Sequence, residues 1–239
     1  VDEGKEMSMK AVIKTTLIMW AAVCASAAMS QDVPVISVIN VKTTDPKGYT
    51  QYLADNPQIM SSLGAQAGGT CLTVSGHRYP DQAFAWTIFP NAATAFKAAR
   101  MYSLAPSNPE LDALRQNVSS EFYAILKPFT KPSGWERRFQ MVINDVPGFI
   151  KAATALEKSM QDAGHPVEIG IFMPMGAGKT KAGLIDIRIF AVEPEIGGAL
   201  AQHVLSGQHD RAAMANMQSF IESVELDTFE DCKQVFSAE

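Results

Sequence analysis

Cysteine is scarce: the 239-residue chain has three, Cys24, Cys71 and Cys232, and no two form a Cys-x-x-Cys pair. Thiol-redox chemistry of the familiar kind therefore lacks support. Histidine is almost as rare, with four residues and no His-Glu-x-x-His, so the zinc-protease signature is missing. There is no Gly-x-Ser-x-Gly, which removes the nucleophile-elbow hydrolase motif. Positive charge is in deficit. Against 25 acids stand 20 Lys and Arg, for a formal charge of −5, so non-specific nucleic-acid binding is not expected. Low-complexity tracts are absent, and a hydrophobic fraction of 47% is that of a folded globular chain. None of these absences excludes an enzyme with scattered residues.

Long apolar runs are also missing, except near the start. Lys10 and Lys14 precede Leu17–Val23, and the stretch ends in small residues through Ala25, Ala27 and Ser30. That is the layout of a secretory signal peptide, with cleavage after Ala27 or Ser30. Residues 1–30 are accordingly set apart as signal peptide and leader. Two rival readings stay open. A retained anchor would need about 20 apolar residues, more than this segment has. Lipidation at Cys24 would follow a bulky Val23. Export predicts a periplasmic or secreted protein, with no stable membrane insertion once the leader is removed. Cys71 and Cys232 remain, in a compartment that permits pairing.

What is present is a repeat. Asp45-Pro46-Lys47-Gly48-Tyr49 recurs as Asp145-Val146-Pro147-Gly148-Phe149. Each follows a strand-like run, Val35–Ile39 and Phe139–Ile143, and each opens a helix-like stretch that ends at Gly64 or Gly164. Phe84-Ala85-Trp86-Thr87-Ile88-Phe89 then aligns with Ile185-Asp186-Ile187-Arg188-Ile189-Phe190. The first half, 34–130, reads as strand 34–42, helix 46–63, strand 69–77, strand 82–89, a helical stretch interrupted at 106–109 that resumes to Ser120, and strand 121–129. The second half, 135–239, reads as strand 136–143, helix 147–163, strands 166–173 and 183–192, helices 194–205 and 208–222, and strand 224–236. Lys131-Pro132-Ser133-Gly134 is the linker. Each half has the βαββαβ order of a ferredoxin-like unit.

Two such units in one chain resemble the dimeric α+β barrel superfamily, which includes the antibiotic-biosynthesis-monooxygenase-like proteins. The resemblance covers nearly all of 34–236 and rests on element order and the repeat. It implies an α+β fold in which two tandem ferredoxin-like βαββαβ units form a pseudo-dimeric barrel, with helices outside and a small-molecule cavity inside. It also implies a strand order of 4-1-3-2 in each half, so that strand two of one half meets strand four of the other. Cys71 and Cys232 then come together at a seam. A bond there closes so long a loop that it would stabilise by about 5 kcal/mol; two unpaired thiols are the alternative.

Strand alternation sorts the faces. Ile185, Ile187 and Ile189 form an apolar row expected under the helices, and the alignment puts Phe84, Trp86 and Ile88 with them. The opposite face then carries Asn40, Thr73, Ser75, His77, Thr87, Gln140, Glu168, Asp186 and Arg188. From these the candidate ligand-binding set is Arg188, Asp186, Glu168, Asn40, Gln140 and His77, with Arg188 holding a carboxylate or enolate oxygen between Asp186 and Glu168. A solvated sheet face or a structural ion pair is the competing account. Trp86 is read as core under the helices, with a cavity wall as the alternative. Gly176-Ala177-Gly178-Lys179-Thr180 looks like the end of a P-loop, but Met173 stands where its first glycine belongs, and a flexible hairpin is expected. His203 and His209 need not share a helical face.

No cofactor or metal is called for by any motif. The expected partner is a small organic ligand, and the oligomeric state stays open. Three functions follow: an exported binding protein that uses the barrel cavity, a cofactor-independent monooxygenase or isomerase on the same scaffold, and an envelope interaction module without a pocket. Fold alone does not choose among them.

Overall fold

The structure is a computed structural model and describes residues 32–130, 134–178 and 181–238. The expected leader and linker residues 131–133 lie outside the described residues. Residues 33–239 group as one unit. Their elements run β1 (Val35–Lys42), α1 (Pro46–Asp55), α2 (Gln58–Ser61), β2 (Ala67–Ser75), β3 (Gln82–Phe89), α3 (Ala92–Leu104), α4 (Pro109–Leu114) and β4 (Gln116–Lys127). They continue with β5 (Gly134–Ile143), α5 (Val146–Asp162), β6 (Glu168–Pro174), β7 (Leu184–Ala191), α6 (Pro194–Leu205), α7 (Arg211–Gln218) and β8 (Ile221–Ser237). No helix among the described residues is long and apolar enough to cross a membrane.

The repeated Asp-x-x-Gly motifs start their helices in the same way. The Asp45 carboxylate accepts a hydrogen bond from Gly48 N at 2.9 Å, and the Asp145 carboxylate accepts one from Gly148 N at 3.1 Å. Both satisfy an amide that the first helical turn leaves without a partner. A proline in each first turn adds a preset φ at no hydrogen-bond cost. Several boundaries differ from the sequence expectation: the helix expected over 208–222 ends at Gln218 with β8 starting at Ile221, and the strand expected over 69–77 runs Ala67–Ser75. The helix expected over 46–63 breaks at Asn56-Pro57, since proline has no N–H to donate and crowds the preceding turn. The segment expected to stay helical to Ser120 turns into β4 at Gln116, where it pairs with the far end of β1, Lys42 opposite Gln116 and Asn40 opposite Ser119.

All eight strands join one closed barrel in the order β1-β3-β2-β8-β5-β7-β6-β4, every pairing antiparallel. Closure leaves no unpaired sheet edge. The two seams between the halves are β2 with β8 and β4 with β6. At the first seam Cys71 stands directly opposite Cys232, and the two form a disulfide across 161 residues of sequence. The Gly176–Gly178 segment joins β6 to β7, strand to strand, while residues 179–180 lie outside the described residues.

Three apolar clusters divide the interior. Ile185 and Ile187 pack with Phe149, Ala153 and Leu156 of α5, outside the barrel. Val35, Val41, Ala83, Ala85 and Phe89 pack with Tyr49 and Leu53 of α1, in the equivalent place. The third cluster, which includes Ile36, Val38, Phe84, Trp86, Tyr123 and Phe172, fills part of the barrel lumen. This corrects the faces expected for β3. Val38 pairs with Trp86 and Arg138 with Arg188, so Trp86 corresponds to Arg188 rather than to Ile187. The alignment of the halves is displaced by one residue there, and a one-residue slip exchanges the two faces of a strand. Phe84, Trp86 and Ile88 therefore point inward, and Thr87 lies on the helix side.

Candidate functional site

The inward parity of β5 carries Glu136, Arg138 and Gln140; that of β7 carries Asp186, Arg188 and Phe190. Register sets Arg138 opposite Arg188, Gln140 opposite Asp186 and Glu136 opposite Phe190. Two guanidinium groups side by side would repel, and buried carboxyls hold them. Arg138 Nε donates to Asp186 Oδ2 at 2.7 Å, and its Nη2 lies 2.7 Å from the same oxygen. Arg188 Nε donates to Asp186 Oδ1 and Arg188 Nη1 to Glu136 Oε2, each at 3.2 Å. Arg138 Nη2 also lies 3.8 Å from Glu121 Oε2, and Tyr123 Oη donates to that same oxygen at 2.5 Å. Asp186 thus sits between two arginines and orders both.

Burial decides how these groups titrate. Burial alone would raise the Asp186 carboxyl, but the Arg138 and Arg188 guanidinium groups outweigh it and hold the group below the usual aspartate range. Glu136 goes the other way: burial raises its pKa more than Arg188 lowers it. Burial also drives the Tyr123 hydroxyl far up, so it stays protonated and serves as a donor. Further along the lumen, Thr228 Oγ1 donates to Glu230 Oε1 at 2.7 Å and Asn40 Nδ2 to Ser119 Oγ at 3.0 Å. Two arginines face four acids here, Glu121, Glu136, Asp186 and Glu230, all buried.

Above the Glu136–Arg188 pair the barrel is open. A cavity of about 200 Å³ is floored by these two residues and walled by Trp86, Ile88, Ile125, Phe129 and Phe172. Phe129 packs edge-on to Phe172 and stacks on Phe190, while the Arg188 guanidinium lies 5.4 Å from the Phe172 ring centre. Two glycines make this arrangement possible. A Cβ at Gly170 would stand 2.5 Å from the Phe129 ring, and one at Gly69 would stand 2.7 Å from the Trp86 indole.

The structure brings Arg188, Asp186 and Gln140 together, with Gln140 Nε2 3.4 Å from Asp186 Oδ2. Asn40 also faces the lumen. Glu168 does not join Arg188: Thr130 holds it at the rim, its Oγ1 donating to Glu168 at 2.8 Å. His77 is on an exposed turn beyond β2, and Ser75 is exposed as well, because the strand pairing shifts between Thr73 and Ser75. Trp86 walls the cavity instead of lying under the helices. His203 meets His165, with ring centres 4.6 Å apart, while His209 Nδ1 bonds the Val204 carbonyl at 3.1 Å. Sequence reasoning missed Glu136, Arg138 and Glu121. For the first two a signal existed: both share the parity of Gln140, and period-two alternation carries them to the same face.

No family model and no curated protein matches the sequence. Solved structures do match in fold. A candidate monooxygenase from Lactobacillus acidophilus NCFM superposes with a TM-score of 0.52 at 10% identity, over 86% of this chain and 95% of that one. An anthrone oxidase-like protein gives 0.48 at 10% identity over 86% and 96%. A chlorite dismutase mutant from Candidatus Nitrospira defluvii gives 0.48 at 9% identity over 86% and 93%. At such identities the likeness is one of fold alone, an α+β barrel of eight strands with helices.

Proposed function

We propose that the protein binds a small single-ring aromatic molecule of the phenol class in the barrel cavity. One observation carries this: a cavity with aromatic and aliphatic walls is lined at its polar end by the buried pair Glu136–Arg188. Its volume suits one substituted ring, since a dry cavity of about 150 Å³ takes benzene and drug-sized ligands need about 300–1,000 Å³. A phenolic hydroxyl both donates and accepts, which matches an acid beside a guanidinium. Of the two oxygens expected from sequence at Arg188, a carboxylate or an enolate, a carboxylate finds Arg188 already engaged by Asp186 and Glu136, whereas the oxygen of a phenol is the enol type.

The test is calorimetric titration of the purified protein with phenol and para-substituted phenols. Saturable one-to-one binding is expected, and Ile125→Trp, which fills the cavity, abolishes it. Absence of binding across the series, or binding indifferent to Ile125→Trp, overturns the proposal.

A second reading, catalysis, is favoured by Glu136. A buried carboxyl with raised proton affinity, at the floor of an aromatic cavity, can take the proton of a ring hydroxyl. That is a first step shared by cofactor-independent oxygenation and isomerisation, and the fold match includes a candidate monooxygenase. Oxygen uptake or isomer formation with a phenolic substrate, lost in Glu136→Gln while binding persists, separates the enzyme from the binding protein. An envelope module with a filled barrel would lack the cavity altogether.

The halves 34–130 and 135–239, joined at 131–134, are read as tandem ferredoxin-like units of one duplicated ancestor. The common element order and the matched Asp45 and Asp145 caps support this. Export to the periplasm or beyond is supported by the signal-peptide pattern and by the Cys71–Cys232 disulfide. N-terminal sequencing of the mature protein tests it.

A further inference from the structure

Beside the Glu136–Arg188 floor lies a second constellation. The sulfurs of Cys71 and Cys232 and the carboxylate of Glu136 fall within 4.8 Å of one another, and all three residues are buried. They come from three adjacent strands. Cys71 on β2 stands opposite Cys232 on β8, and Cys232 stands opposite Gly134 on β5, two residues before Glu136 on the same inward parity. In the disulfide the sulfurs carry no charge and hold no cation. An added dithiol delivers two electrons and two protons to the S–S bond and becomes a disulfide itself. An added phosphine delivers the two electrons and becomes the phosphine oxide, its oxygen and the two protons coming from water. Either leaves two thiols. Release of those two protons to solvent then gives two thiolates, the form that ligates metals.

We propose that the reduced protein binds one borderline-soft divalent cation, of the zinc type, through Cys71 Sγ, Cys232 Sγ and a Glu136 oxygen, and that the disulfide masks this site. Two thiolates and a carboxylate are ligands zinc accepts, and three protein ligands leave its fourth position open. That position has somewhere to face, because Glu136 lines the cavity. Arg188 Nη1 donates to Glu136 Oε2, so Oε1 is the oxygen offered to the cation. Arg188 fixes the carboxylate from behind, the arrangement that outer partners give to metal ligands. Charge also balances. Exchanging a neutral disulfide for two thiolates and one divalent cation leaves the formal charge of the lumen unchanged, so the existing ion pairs need not rearrange. The sulfurs stay close after reduction, because flanking pairs Thr70–Lys233 and Leu72–Asp231 hold the β2–β8 register. Metal uptake needs no aromatic ligand, so it stands or fails apart from ring binding.

The experiment uses the full chain, reduced with a phosphine under nitrogen and desalted, with Co²⁺ as the probe. One equivalent of Co²⁺ is expected to produce a thiolate-to-cobalt charge-transfer band in the near ultraviolet, and Zn²⁺ is expected to bleach it. The oxidised protein and the Cys71→Ser/Cys232→Ser variant show no band. Glu136→Gln keeps the band but weakens binding by about tenfold or more. A reduced protein with a native circular-dichroism spectrum and no band overturns the proposal, as does a band that survives in Cys71→Ser/Cys232→Ser. Unaltered affinity in Glu136→Gln overturns the three-ligand site. A reduced chain that has lost its fold overturns it too, since a masked site requires a barrel that stands without the bond.

Discussion

Replacing Arg138 by methionine removes the central cation of the lumen while keeping an unbranched stem. Arg138 has no exposed surface, and it holds Asp186 at 2.7 Å and Glu121 at 3.8 Å. In Arg138→Met, among the described residues, Asp186 keeps Arg188 as its cation and the Gln140 amide, and Glu121 keeps no cation. Breaking a buried ion pair from one side costs about 3–5 kcal/mol, a large fraction of an ordinary domain's stability of about 5–15 kcal/mol. Guanidinium denaturation at neutral pH is expected to show a loss of that size. The pH dependence gives a second signature. In the wild type, Asp186 has its folded pKa held below the ordinary value of 3.8. Its contribution is complete above that value and is lost only as pH falls through the lower, folded pKa, so this group adds no stability as pH drops from neutral to about 5. In Arg138→Met the Asp186 carboxyl loses the larger of the two cations that hold its pKa down and takes up a proton more readily in the folded state, and the deficit is expected to narrow as pH falls. A loss below about 1 kcal/mol, the size of an exposed pair, or a deficit that does not change with pH, would refute the idea that the network is desolvated.

Three further outcomes are expected. Asp45→Ala and Asp145→Ala each lower stability by about 1 kcal/mol, because each removes a matching cap; paired denaturation curves check this, and a clearly unequal effect would break the equivalence of the two helix starts. Gly170→Ala lowers stability by about 1–3 kcal/mol through crowding of Phe129 and Phe172, and it shrinks phenol binding in calorimetry; a neutral result would show that these rings yield freely. Cys71→Ser/Cys232→Ser costs about 5 kcal/mol if loop closure dominates; a loss near zero in chemical denaturation would mean that barrel pairing alone already confines the seam.

Much of the architecture was legible because it is local. Asp45 and Asp145 announce helix starts through chemistry within four residues. Alternation along β7 assigned Ile185, Ile187, Asp186 and Arg188 to their faces with no knowledge of neighbours. The seam between Cys71 and Cys232 was reachable once the element order suggested a closed barrel, since closure must bring the open edges together. Where an independent landmark was lacking, the reading failed. Phe84, Trp86 and Ile88 are apolar, as are Ala83, Ala85 and Phe89, so the period-two signal in β3 could not tell inside from outside, and one misplaced residue in the alignment exchanged the faces.

The sequence by itself determined the order of strands and helices, the helix caps and the polar parity of β5 and β7, all properties of neighbours along the chain. Only the tertiary structure decided which polar groups meet. Arg188 pairs with Glu136, fifty-two residues away, and not with Glu168, which Thr130 draws to the rim. Asp186 is shared by two arginines because barrel register sets Arg138 and Arg188 opposite each other. Whether the lumen is filled or open rests on Phe129, Phe172 and Trp86 leaning over Gly170 and Gly69, contacts among β2, β3, β6 and the segment after β4. Side-chain volume in a closed barrel is a sum over all its strands, and no single segment carries that information.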